Sequence, residues 1–200
     1  MTVEFVDELD DGFGWIEDTG MRRTSHALAV DGRVWVIDPI EGDGVDERIH
    51  ALGEPAGVVQ LLDRHGRDGQ AFAARLGVPL SVVPLSLPGT PFELVRVLRS
   101  RWWHEVALWW PEPGILVCAD AIGTLPFFRA GDEPAGLHPF LRLVPPRGLA
   151  GREARHLLVG HGRGIHGPNA ATAVDSAVRT GRRRIPRWLA GVPRIVRRGY

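Results

Sequence analysis

The amino-acid sequence predicts an α/β domain in which sheets are covered by helices and a site lies at one sheet edge. Three observations predict it. Strands come first as hairpins, strands and helices then alternate, and polar residues cluster just after several strand ends. Two hundred residues, 44% of them hydrophobic and 24% charged, suit one compact domain.

His26 to Val30 and Arg33 to Pro39 read as two strands joined by Asp31-Gly32, a pair that accepts the positive φ angles of a type I′ turn. Gly57 to Leu62 is a short apolar strand. The polar loop Asp63 to Arg67 follows, then a helix from about Asp68 to Leu76 that Gly77 stops, and a strand over Val78 to Val83. Glu105 to Trp110 and Ile115 to Asp120 form a second hairpin around Pro111-Glu112-Pro113-Gly114. Arg152 to His156 is expected to continue a helix, His156 to Val159 is strand-like, and Gly160-His161-Gly162 breaks it. Pro168 and Asn169 mark the start of a helix reaching Arg179. In Trp102-Trp103 and Trp109-Trp110, alternation along one strand sends one member of each pair to the core and the other outward or towards a covering helix.

No run approaches the ~18 apolar residues of a membrane-spanning helix, and the N-terminus lacks a signal-peptide pattern, so the expected location is cytoplasmic. Cys118 lies in an apolar run and reads as a small core residue. All 24 basic residues are arginine. Eight of them follow Val178 with no acid among them, so residues 1–178 carry a net −8. This divides the chain into a domain over 1–178 and an arginine-rich segment over 179–200. Ile185, Trp188, Leu189 and Ile195 of that segment are expected to form one docked apolar face. The arginines could meet nucleic acid, anionic lipid or the domain's own acids, although no nucleic-acid reading motif is present.

In order, the chain holds a hairpin ending Val36-Ile37-Asp38-Pro39, a strand-loop-helix over Asp63 to Leu76 followed by Gly77-Val78-Pro79, a hairpin ending Ala119-Asp120-Ala121, and a strand ending Gly160-His161-Gly162. This succession resembles the metallo-β-lactamase superfamily from Thr24 to about Val178. The resemblance implies an αββα sandwich with metal ligands on loops at one edge of two sheets. The family motif His-x-His-x-Asp-His falls on Arg64-His65-Gly66-Arg67-Asp68-Gly69, so Asp68 matches while Arg64, Gly66 and Gly69 replace histidines. The bridging aspartate matches Asp120 and the last histidine matches His161. His65 stands between expected ligand positions, within reach if the loop shifts by one residue.

The resemblance therefore implies a reduced metal site, at most mononuclear, drawn from His65, Asp68, Asp120 and His161. Such a site could hold one zinc, manganese or iron ion, or none. If active, the chain would be a metal-dependent hydrolase in which Asp68, Asp120 and His161 are catalytic. Asp68 could equally cap its helix, and Asp38 reads as a strand-end or turn residue. The alternative is a non-catalytic binding protein. Its pocket, lined by Arg64, Arg67, Arg101 and His26, would take a small anionic molecule or a partner protein through guanidinium hydrogen bonds.

Overall fold

The computed structural model describes residues 1–197; Arg198 of the arginine-rich segment lies outside them. A six-stranded sheet runs in the order β1 (Val3–Leu9), β2 (Gly12–Glu17), β3 (Thr24–Val30), β4 (Arg33–Ile37), β5 (Glu54–Gln60) and β6 (Leu80–Val82). The facing five-stranded sheet contains β7 (Glu93–Ser100), β8 (Trp103–Trp110), β9 (Ile115–Cys118), β12 (His156–Val159) and β13 (Ile165–His166), in the order β13-β12-β9-β8-β7. Between β9 and β12 in sequence, β10 (Ile122–Gly123) and β11 (Gly136–Leu137) form a small ladder of their own. The α-helices among the described residues are α1 (Val45–Leu52), α2 (Gly69–Leu76), α3 (Asn169–Thr180) and α4 (Ile185–Arg197).

The period of two along a strand builds the layers. Ala27, Val34, Val36 and Val58 pack with Val45 and Ile49 of α1 and Phe72 and Ala73 of α2. Their neighbours Leu28, Trp35, Ile37 and Val59 point the other way and join Val106, Leu108 and Leu116 between the sheets. Ala170, Ala173, Val174 and Ala177 of α3 belong to that same large core. The result is two sheets packed together with helices outside, the expected αββα arrangement.

The expected β3–β4 hairpin is present, with φ of 50° at Asp31 and 75° at Gly32, as a type I′ turn requires. The sandwich begins earlier than expected, because β1 and β2 add an antiparallel hairpin ahead of Thr24. Residues 152–155 form no helix; they run irregularly into β12, with Arg155 and His156 donating their backbone N–H groups to Gly114 O. The helix expected to end near Arg179 crosses the predicted boundary as α3. Trp103 is buried and Trp102 exposed, as alternation predicts. Trp109 and Trp110 are both buried, because Arg152 covers one face of β8 and Phe92 packs on the other. In α4, Ile185, Trp188 and Ile195 face the domain, with Trp188 Nε1 donating to Phe127 O at 2.8 Å, whereas Leu189 points outward.

β4 pairs in parallel with β5, and β12 in parallel with β9, so the carboxyl ends of these strands gather at one edge of the sandwich. Two isolated bridges, Arg23 to His161 and Leu62 to Glu105, tie the sheets together there.

Candidate metal centre

Four loops leave this edge, each carrying a titratable side chain: Asp38 after β4, His65 between β5 and α2, Asp120 after β9 and His161 after β12. His65 Nε2 and His161 Nε2 lie 3.0 and 3.1 Å from the same oxygen, Asp120 Oδ1. The remaining imidazole nitrogens are anchored. His65 Nδ1 is 3.3 Å from Asp38 Oδ2, and His161 Nδ1 donates to Met21 O at 2.8 Å. Asp38 is fixed in turn, accepting Leu61 N–H at 3.0 Å through its other carboxylate oxygen.

The electrostatics follow from burial and charge. Burial and the nearby Arg67 guanidinium act to lower the His65 pKa, but hydrogen bonds to Asp120 and Asp38 outweigh them and raise it to about 9. Burial acts to raise the Asp120 pKa, yet hydrogen bonds from His161 and His65 hold it well below the usual carboxylate range. Under Asp120, the fully buried Glu105 accepts from Ala121 N, Asp120 N and Trp103 Nε1 at 2.8, 3.1 and 2.8 Å. Burial, aided by the Asp120 charge, pushes the Glu105 pKa up to about 8.

The donor set suits a divalent ion. Two imidazole nitrogens and one carboxylate oxygen lie within 4.8 Å of one another. Tetrahedral ligands at about 2.0–2.2 Å from zinc stand roughly 3.3 Å apart, near the separations found here. The anchoring of each second imidazole nitrogen by a carboxylate or carbonyl is the outer-shell pattern that orients metal-binding histidines.

Of the four expected ligands, the structure brings together His65, Asp120 and His161. Asp68 turns away: its carboxylate accepts Glu41 N–H at 2.7 Å and makes no capping bond to α2. The four residues expected to line an anion pocket are not gathered. Arg64 lies over the Trp103 ring and donates to Trp102 O, and Arg101 lies exposed over Trp102. His26 Nε2 is 3.5 Å from Asp7 Oδ2 in a separate buried cluster. Arg67 points inward and donates to Thr24 O, Asp38 O and Gly160 O at 2.7, 2.9 and 3.0 Å, stapling the ends of three strands.

The glycines flanking His161 serve close backbone approach. A side chain at Gly160 would meet Ala119 O at 2.5 Å, and Gly162 adopts φ +94° against Thr124 Oγ1. Three supporting residues were not singled out in the sequence. Phe128 stacks on His161 with ring centroids 5.7 Å apart, and the fully buried Arg142 holds Phe128 O and Glu133. Glu105 is the third. For Asp38, an available signal was that it follows an apolar strand, as Asp120 does. Asp38 and Arg67 adopt φ of 45° and 34°, a strained region for non-glycine residues that often marks functional loops.

No family model matches the chain, and no curated protein sequence matches it. Solved structures do. A metallo-β-lactamase from Pontibacter korlensis superposes with a TM-score of 0.62 at 12% identity, over 89% of this chain and 99% of that one. One from Hirschia baltica gives 0.58 at 11% identity, over 89% and 98%. The DIM-1 metallo-β-lactamase gives 0.58 at 14% identity, over 90% and 98%. Layer order, strand ends and these superpositions agree: the chain has the metallo-β-lactamase fold.

Proposed function

We propose that this chain is a hydrolase-like protein acting through one divalent metal ion held by His65 Nε2, Asp120 and His161 Nε2. The observation that carries the reading is the convergence of three ligand atoms, each imidazole fixed by a second partner. Such an ion acts as a Lewis acid and makes water a nucleophile at neutral pH. The chain's own residues hold the geometry. Asp38 and the Met21 carbonyl orient the two rings, Glu105 fixes the backbone of the Asp120 loop, and Phe128 covers one face of His161.

Charge and the ligands at hand support a count of one ion. Among the described residues the converging donors number three, and Asp68 is engaged by Glu41 N. Arg67 adds fixed positive charge that acts on His65, Asp38 and Asp120, which opposes a second cation beside the first. Two imidazoles with one carboxylate suit zinc or iron, and manganese less well.

Elemental analysis of protein purified without chelator tests the proposal, with His65→Ala, Asp120→Asn and His161→Ala as variants. The expected result is one equivalent of metal in the native chain and its loss in each variant. Two equivalents, or a single equivalent retained in all three variants, would overturn it.

A further inference from the structure

The arginine-rich segment is partly neutralised by the domain's own acids. Arg179 pairs with Asp175 at 3.2 Å, and Arg184 and Arg187 pair with Asp132 at 3.2 and 3.4 Å. Arg182, Arg183 and Arg194 make no ion pair among the described residues, and neither does Arg147. The free guanidinium groups line grooves. Arg147, Arg182 and Arg183, with Arg179, surround a groove of about 710 Å³ floored by Ala150 and Val178. Arg194, beside Arg129 and the Asp132-paired Arg187, lines a second, of about 460 Å³.

Apolar side chains stand exposed beside them. On α4, Ile185, Trp188 and Ile195 are turned to the domain, which leaves Pro186, Leu189, Pro193 and Val196 as an outward stripe at helical spacing. Leu189 and Val196 are 57% and 67% exposed. Arg187, Arg194 and Arg197 border that stripe on one side. Leu143 and Val144, next to Pro145 on the wall of the larger groove, are likewise exposed.

We infer that the segment from Arg179 to Arg197 docks on an anionic phospholipid bilayer, its arginine grooves seating headgroup phosphates and Leu189 and Val196 entering the acyl boundary. Charge complementarity selects the partner, because a basic, amphipathic outer face is what an anionic lipid surface attracts. A nucleic acid fits less well. Phosphodiester binding gives Leu189 and Val196 no role, and the aromatic residue of α4, Trp188, is docked on the domain rather than offered for base stacking.

The test is co-sedimentation of the full chain with vesicles of phosphatidylcholine alone and of phosphatidylcholine mixed with an equal amount of phosphatidylglycerol. The chain should partition onto the anionic vesicles only and be released by salt. Arg182→Gln with Arg183→Gln should weaken partitioning roughly thirtyfold. Leu189→Gln with Val196→Gln should weaken it while leaving the melting temperature unchanged, since both side chains are exposed. Equal binding to both vesicle types, wild-type binding by both double variants, or preference for a short DNA or RNA duplex added in competition would overturn the inference.

Discussion

Asp38 shows how one residue can shape a candidate site without being one of its three ligands. One of its carboxylate oxygens holds Leu61 N, the other faces His65 Nδ1, and its φ of 45° aims the side chain into the edge. Asp38→Asn keeps the first bond through its amide oxygen but turns an N–H₂ toward a nitrogen that must also donate. The variant should remain folded and bind metal about 10- to 100-fold more weakly, as seen when outer-shell partners are removed. Competition titration against a metal indicator measures this, and unchanged affinity would show that Asp38 serves only the loop. In the sequence Asp38 looked like a strand-end residue, which it is. Its second role depends on where His65 lies, and that is set by a loop whose path one-dimensional spacing does not give.

Among the elements, α2 carries the loop that presents His65, and its grip on the sheet comes mainly from Phe72. That side chain is fully buried, stacks on Trp15 at 6.3 Å and packs with Val58 and Ala73. Phe72→Ala should cost about 3–5 kcal/mol of stability, read from denaturant unfolding with the slope held constant. A loss below about 1 kcal/mol would mean that the helix is held by its ends instead. The extent of α2 was legible in the sequence because Gly77, with φ of 68°, stops it. The β1–β2 hairpin was not. β1 mixes acids with apolar residues and carries a bulge that breaks the period of two between Val6 and Leu9, and β2 sets glycines before Phe13 and Trp15.

At the scale of the whole molecule, that bulge joins the two sheets. Asp7 sits within it at φ 53° and lies 3.1 Å from His166 Nε2 on β13 and 3.5 Å from His26 Nε2 on β3. Burial acts to raise the Asp7 pKa, but the hydrogen bond from His166, the nearby His26 imidazole and the Gly164 N–H outweigh it and hold the carboxyl well below its ordinary 3.8. The folded state therefore binds the ionised form more tightly than the unfolded chain does. The resulting stability is complete above the ordinary carboxylate pKa and is lost as the pH falls through the depressed folded value. Asp7→Asn should cost about 1–3 kcal/mol at neutral pH. The deficit should shrink steadily below about pH 4, because the wild-type carboxyl then loses the same advantage. Melting temperatures across that range check the sign; a deficit that stays constant with pH would place the effect in packing.

What the sequence determined by itself was local or periodic: the Asp-Gly hairpin, the alternation that sorts residues between the two core layers, the glycine that ends α2, and the ordered strand ends whose resemblance to a known family implied the αββα fold. It also placed Asp120 and His161 at strand ends, and they meet through Asp120 Oδ1. Tertiary structure alone decided which loop residues face each other. Asp68 is captured by the Glu41 backbone, Arg67 turns inward onto three carbonyls, and His65 reaches the position between Asp38 and Asp120. These outcomes rest on contacts between residues 27 to 93 positions apart. Long-range hydrogen-bond and charge partners leave no periodic trace in the chain, so they appear only once the sheets have packed.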